Sequence, residues 1–479
     1  MSTNKQRYQL VNLSTRQLVN LSTNNMMNRK TIVSAFLLLA SATSAMAQGP
    51  YIMQPTDKQY SWEADLHHRL LDDFSKTRDE VKAYIRKYIP NVTDQQMDAW
   101  EKTGELECRV IDGEKRYFHN AAPNLFRINK HCAALKAKRD TPGRDGDQKV
   151  RADNTHAIMK QASRMRGRLG DPKHFRIRYT VTVKPDVVPA GETVRCWLPM
   201  PRTDIMRQQN VELLSTSQPD YVRSPMTYAH STVYMEKKAE AGKPTVFSEE
   251  FAFDAYGAWF DLDTASVKPY DTTTQLYKTY TSERDRHIVF TPQIRALAER
   301  LTAGATTPLA KARRIFKWID ENFPWASARE YSTIENIPEY VLANNHGDCG
   351  QVTLLFLTLC RSIGIPGHFQ SGFMLHPGDE NLHDWGEIYI QDLGWVPVDM
   401  SFGIPAYAQN EKETFFFLGG IDSFRMVVNN DFGCPLYPAK QYPRSETVDF
   451  QRGEVEWQGG NLYFDKWKWN IEVLERTDL

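Results

Sequence analysis

His346-Gly347-Asp348-Cys349-Gly350-Gln351, running on into Val352-Thr353-Leu354-Leu355-Phe356-Leu357, places a thiol at the head of an apolar, helix-like segment. A helix N-terminus lowers a thiol pKa through its dipole and free amide groups, and the thiolate is the reactive form. Downstream, His383-Asp384-Trp385-Gly386-Glu387-Ile388-Tyr389-Ile390 alternates as a strand does, and Trp395-Val396-Pro397-Val398-Asp399 ends a second strand. The spacings are 34 residues (383 − 349) and 16 (399 − 383). Neighbouring antiparallel strands can set an imidazole beside a carboxylate. The carboxylate then fixes the ring tautomer so that the other nitrogen faces the thiol. Cys349, His383 and Asp399 are therefore the candidate nucleophile, base and orienting group.

Each residue alone is bland. A single cysteine reads as a small apolar core residue, and Cys360 is read that way: it lies 11 positions (360 − 349) and three helical turns beyond Cys349. One histidine among 12 carries no weight by itself. The ordered set, each member in its own setting, carries the reading.

Outside this stretch the chain is ordinary. Its 479 residues are too many for one core, and about two to three domains are expected. Lys plus Arg equals Asp plus Glu at 59 each, so there is no electrostatic reason to expect nucleic acid or a membrane surface as partner. Arg29-Lys30, the apolar run Thr31–Ala40 and the exit Ala45-Met46-Ala47 describe a secretory signal peptide cleaved after Ala47, too short to span a bilayer. A periplasmic or secreted protein without stable membrane insertion is expected. Upstream, Gln9–Thr15 recurs as Gln17–Thr23, and the start is expected at Met26 or Met27. The six cysteines include no CxxC pair, and no His/Cys cluster has ligand spacing, so neither a structural zinc nor a cofactor is expected. Cys108 and Cys132 are left open as a disulfide pair.

The pattern along the chain divides it four ways: 1–47, extension and signal; 48–170, mostly helical; 171–285, a β-sandwich; and 286–479, a catalytic domain with C-terminal strands. Trp62, Leu66, Leu70, Phe74, Val81, Ile85 and Ile89 keep helical spacing, and Asp112-Gly113 marks a hairpin turn within Leu106–Phe118. Lys136–Lys149 reads as a linker or exposed loop. Phe175, Ile177, Tyr179, Val181 and Val183 alternate as one strand face. Further strands are expected at Val194–Leu198, Val211–Ser215, Ser231–Met235, Pro244–Phe253 and Trp259–Ala265. Helices follow at Pro292–Leu301, Leu309–Asn322 and Cys349–Ile363, with strands at His368–Met374, His383–Ile390, Trp395–Val398, Arg425–Asn429, Val448–Trp457 and Trp467–Leu474. Trp457, Trp467 and Trp469 could stack on carbohydrate, but packing is the favoured reading.

With these residues in view, the segment Gly347–Ser401 resembles the core of the transglutaminase-like superfamily of thiol enzymes. The resemblance rests on the Gly-x-Cys helix start at Cys349, Arg361-Ser362-Ile363-Gly364-Ile365-Pro366, His383-Asp384-Trp385-Gly386-Glu387 and Val398-Asp399. Trp197-Leu198-Pro199-Met200-Pro201 resembles the β-sandwich that often precedes such cores. The implied fold class is α+β: a transglutaminase-like, papain-like core preceded by a β-sandwich and an N-terminal, mostly helical region. The resemblance assigns Cys349 as nucleophile, His383 as general base and acid, and Asp399 as orienting carboxylate. It offers Trp325 or the Cys349 amide as oxyanion stabiliser. Asp384 departs from the family pattern, which more often has a small residue there.

The activity so implied is cleavage of an amide bond in a peptide, protein or peptidoglycan-like substrate through an acyl-thioenzyme. With no calcium-ligand loop, hydrolysis is preferred over cross-linking transfer to an amine. A cell-wall peptidase of a different thiol family is disfavoured by the Gly364-Ile365-Pro366 link and the short Cys-to-His gap. A non-catalytic binding or scaffold protein retaining the fold is the alternative from another class.

Overall fold

The computed structural model describes residues 61–140, 145–165, 168–262 and 268–479. The expected repeat and export segment, residues 1–47, lie outside them. No helix among the described residues is long and apolar enough to cross a membrane.

Thr77 and Thr93 close capping boxes with Glu80 and Gln96, so the helices Arg78–Arg86 and Asp94–Lys102 begin where free amides find side-chain oxygens. The strands Cys108–Ile111 and Glu114–Tyr117 pair across Asp112 (φ 53°) and Gly113 (φ 80°), the two left-handed positions that a tight hairpin requires. Phe74, Val81 and Ile85 from the expected stripe enter a separate N-terminal core. Arg69 on the first helix is also buried, lying over the rings of Trp62 and Tyr463 and donating to Ser445 O.

The expected loop at 136–149 is only partly one, because Asp145–Met165 forms a 21-residue helix. Ile158, fully buried on it, sits where a side chain on Gly257 would stand, so contact with a strand stabilises a helix that its own composition disfavours.

Alternation at Phe175–Val183 becomes the strand Leu169–Val183, with every second residue buried from Lys173 onward. Two five-stranded sheets enclose a core that includes Phe175, Tyr179, Trp197, Phe247 and Phe251. The expected strand at Trp259–Ala265 is not separate. Thr245–Trp259 is one continuous strand ending at Trp259, and 263–267 lie outside the described residues.

The C-terminal strands depart furthest from sequence order. Trp467–Asp478 pairs antiparallel with Leu169–Val183, and Glu454–Trp457 pairs with Thr193–Pro199. Both complete the sandwich sheets rather than extending the sheet that carries His383. The strand expected over Val448–Trp457 is confined to Glu454–Trp457. Before it the chain is buried but irregular; Glu454 satisfies this backbone by accepting from Ser445 N and Glu446 N, and its charge is met by Lys440 Nζ. Trp467 is buried and donates to Leu462 O, while Trp469 stacks on Tyr179. Both rings are taken up by packing.

The remaining sheet has four antiparallel strands in the order Gly394–Val398, Asp379–Ile390, Gly367–His376 and Arg425–Asn429. The helix Cys349–Ser362 packs on it, nearly every residue buried. Gly386 permits the approach: a Cβ there would stand 3.0 Å from His368 O and 3.3 Å from Leu357. Phe369, Trp385 and Ile388 join the helical core, whereas Phe373, Leu375, Met426 and Val428 join the sandwich core. This sheet lies between the two, which explains burial on both faces. The fold is α+β.

Candidate active site

Asp348 starts the nucleophile helix. Its Oδ1 accepts from Gln351 N at 3.0 Å, and Gln351 Oε1 accepts from Asp348 N at 3.2 Å, closing a capping box. Cys349 is therefore the first helical residue, where amide N–H groups lack intrahelical partners. It is half-buried. Tyr331 OH donates to Asp348 Oδ1 at 2.6 Å and fixes the cap from outside. None of the six cysteines is in a disulfide; Cys132 and Cys360 are buried.

His383 and Asp399 meet through strand register. Gly386 pairs with Val398, which brings Asp399, one residue beyond, alongside Trp385 and one alternation from His383. His383 Nε2 lies 2.8 Å from Asp399 Oδ2, both groups almost wholly buried. An ionised carboxylate only accepts, so Nε2 carries the ring proton and Nδ1 is left as the basic nitrogen. Burial holds the His383 pKa below the ordinary range and Arg425 adds to this, against the opposing pull of Asp399.

Asp399 is itself over-determined. Its Oδ1 accepts from Ser401 N and Phe402 N at 3.0 Å each, and its Oδ2 is 3.0 Å from Arg425 Nη1. Burial would raise its pKa, but His383 and Arg425 outweigh that and hold it below the usual carboxylate range. Arg425 turns its other edge to Asp422 Oδ2, at 2.9 Å from Nε and 2.7 Å from Nη2. One buried cation thus serves two carboxylates. Arg425 and Asp422 sit on or beside a strand whose sequence reads as an ordinary apolar strand, and nothing in the sequence pairs them with Asp399.

The thiol has a different neighbour. Cys349 Sγ donates to Asp384 Oδ2 at 3.3 Å, and no hydrogen bond joins it to His383. Burial, Asp384 and Asp348 push the thiol pKa up, opposed by the Asp384 backbone amide. Trp325 is 47% exposed. Its backbone lies parallel to Gly347, two residues from Cys349, and the Arg127 guanidinium lies over its ring at 4.9 Å. Asn124 donates to Ser327 O and accepts from Ser327 N, so the N-terminal helices clamp the segment that presents this indole. Sequence reading named Trp325 but gave no sign of Arg127.

Among known proteins, residues 295–400 match the family model described as the transglutaminase-like superfamily. A structure from Cytophaga hutchinsonii provisionally named a cysteine protease is 14% identical, covering 65% of this chain and 92% of its own, with a TM-score of 0.45. The periplasmic domain of TgpA from Pseudomonas aeruginosa is 13% identical, covering 48% of this chain and 87% of its own, with a TM-score of 0.26. No curated protein matches the chain.

Proposed function

Taking as premise that residues 295–400 belong to the transglutaminase-like superfamily, we propose that this chain is an exported thiol enzyme that hydrolyses an amide bond through an acyl-thioenzyme. One observation carries the reading: His383 is buried and bound through Nε2 to an ionised Asp399, its Nδ1 has no hydrogen-bond partner among the described residues, and the next residue, Asp384, accepts from a half-buried thiol at a helix start. That is the proton economy a thiol nucleophile needs.

In the proposed reaction Cys349 Sγ attacks the carbonyl carbon while its proton passes to His383 Nδ1. The oxyanion forms against the Cys349 amide, and the imidazolium is balanced by Asp399. His383 then gives that proton to the leaving amine as the C–N bond breaks. Water adds to the thioester, yields its proton to His383, and releases the acid as the thiol is restored. An amine in place of water would make the same site a transferase. The exposed Trp325 indole, with Arg127 over it, is proposed as one wall of the substrate entry. The substrate class is a peptide, protein or peptidoglycan-like amide, and the setting is periplasmic or secreted, on the strength of the signal-like sequence ending at Ala47.

A non-catalytic scaffold is favoured by one observation, the hydrogen bond from the thiol to Asp384 instead of His383. A digest of peptides and peptidoglycan by wild type and Cys349→Ala, read by mass spectrometry, separates the two. Cleavage lost with Cys349→Ala supports the enzyme; cleavage retained in the variant ends that reading.

A further inference from the structure

Asp384 follows the candidate base directly, and its carboxyl group is bound on both sides. Oδ2 accepts from the Cys349 thiol at 3.3 Å. Oδ1 accepts from Gln451 Nε2 at 2.6 Å, and that amide also donates to His383 O at 2.7 Å. Gln451 therefore holds Asp384 and the His383 backbone as one unit. Gly350 leaves room for the carboxyl: a Cβ at this position would stand 2.7 Å from Asp384 Oδ2 and 2.3 Å from Tyr331 Oη. Meanwhile Nδ1 of His383 takes no hydrogen bond from the described residues.

We infer that Asp384 is a positioning residue for the nucleophile: its carboxyl group, clamped by Gln451, parks the Cys349 thiol in protonated form, from which the sulfur swings to His383 Nδ1 to react. This deepens the thiol-enzyme reading and rests on it for its catalytic meaning. No proton is lost or gained at Asp384 in the cycle. The S–H bond donates to Oδ2 at rest, and on rotation the same proton passes to Nδ1 as the S–C bond forms.

The charges around Asp384 give the device a pH dependence. Asp348 faces it from the helix cap, Tyr331 from the short helical turn Tyr331–Thr333, and Glu446 and Asp449 from the C-terminal loop, where Arg452 pairs with Glu446 and with Glu330. On its own strand and the next lie His383 and Asp399, backed by Arg425 and Asp422. Acids outnumber bases next to the carboxyl. Burial, then Asp449 and Asp348, hold its pKa well above the ordinary range, against the pull of the Cys349 hydrogen bond. While it is neutral, a thiolate meets no charge on Asp384. Once ionised, it opposes the thiolate directly. Thiol reactivity in the wild type should therefore lag behind pH on the alkaline side.

Asp384→Asn tests this in the full chain. Asparagine keeps the acceptor for Gln451 and places an amide, uncharged at every pH, opposite the sulfur. The readout is iodoacetamide modification at Cys349 across pH, quantified by mass spectrometry. The expected result is a lower apparent thiol pKa in the variant, by about one unit, with about tenfold faster modification at mildly alkaline pH. Superimposable profiles for the two folded proteins would overturn the inference. Should the variant not fold, thiolate absorbance of wild type minus Cys349→Ser serves instead. A Cys349 ionisation in the ordinary cysteine range overturns the inference, and one displaced upward supports it. If the shift appears but no amide is cleaved, the parked thiol stands and the enzyme reading falls.

Discussion

Replacing Gly350 by alanine sets two effects of known size against each other. Gly350 is the second residue of the nucleophile helix, so alanine gains at most about 1 kcal/mol from helix preference and reduced chain entropy. The new Cβ would meet Tyr331 Oη at 2.3 Å, Asp384 Oδ2 at 2.7 Å and Tyr331 Cε2 at 3.0 Å. Real Cβ contacts are not that short, so the ring must move. Tyr331 is buried and its hydroxyl is tied to the Asp348 cap, so relief is costly. Overpacking costs about 2 kcal/mol at mid-range, and unpairing a buried hydroxyl–carboxylate bond about 2 kcal/mol more. The two costs together, about 4 kcal/mol, less the gain of at most about 1 kcal/mol, leave a net loss of about 3 kcal/mol. Hydrogen exchange at the first turn of the helix, with denaturant unfolding of the whole chain, measures it. Adding Tyr331→Phe removes the nearest clashing atom and should recover about 1 kcal/mol, a coupling that the double-mutant cycle isolates. A Gly350→Ala protein as stable as wild type, or more so, would refute the reasoning.

Asp399→Asn keeps the shape and leaves Arg425 paired with Asp422, so the chain should fold. It cannot hold the His383 tautomer, and turnover of whichever peptide the digest identifies should fall by about four orders of magnitude in kcat/KM. Asp348 has its pKa raised by burial to about 6, so its folded-state ionisation is disfavoured. Its contribution is fully present below its unfolded pKa, near 4, and is lost as pH rises through about 6. Asp348→Asn keeps the cap, so its stability relative to wild type should rise across that window by at most about 3 kcal/mol. Paired unfolding curves at either end of the window check this, and a constant difference would contradict it. Finally, Asn124→Ala leaves Ser327 N and O without their side-chain partner and should cost about 1–3 kcal/mol. Faster hydrogen exchange at residues 325–327 is the expected signature, and unchanged protection would argue against the clamp.

What could be read from the sequence was local chemistry. Asp348 ahead of Cys349, with Gln351 three residues later, spells a capped helix because the capping box closes within four residues. The alternation at His383–Ile390 and the turn to Trp395–Val398 place His383 and Asp399 on adjacent strands by register alone. Phe175–Val183 reads as a strand because its period of two needs no outside information.

The rest depended on contacts between residues distant along the chain. Trp467–Asp478 follows the His383 sheet in sequence yet pairs with Leu169–Val183, nearly three hundred residues earlier, because that edge offers unpaired backbone and an apolar face. The helix Asp145–Met165 persists through tertiary packing against a strand glycine. At the site, Arg425 is recruited to Asp399, and Gln451 to Asp384, by folding alone. So the candidate reacting groups were legible in advance. Where the thiol points was not: its hydrogen bond to Asp384 depends on a missing side chain at Gly350, a buried tyrosine and a glutamine from the C-terminal loop, and their juxtaposition in space leaves no pattern in sequence.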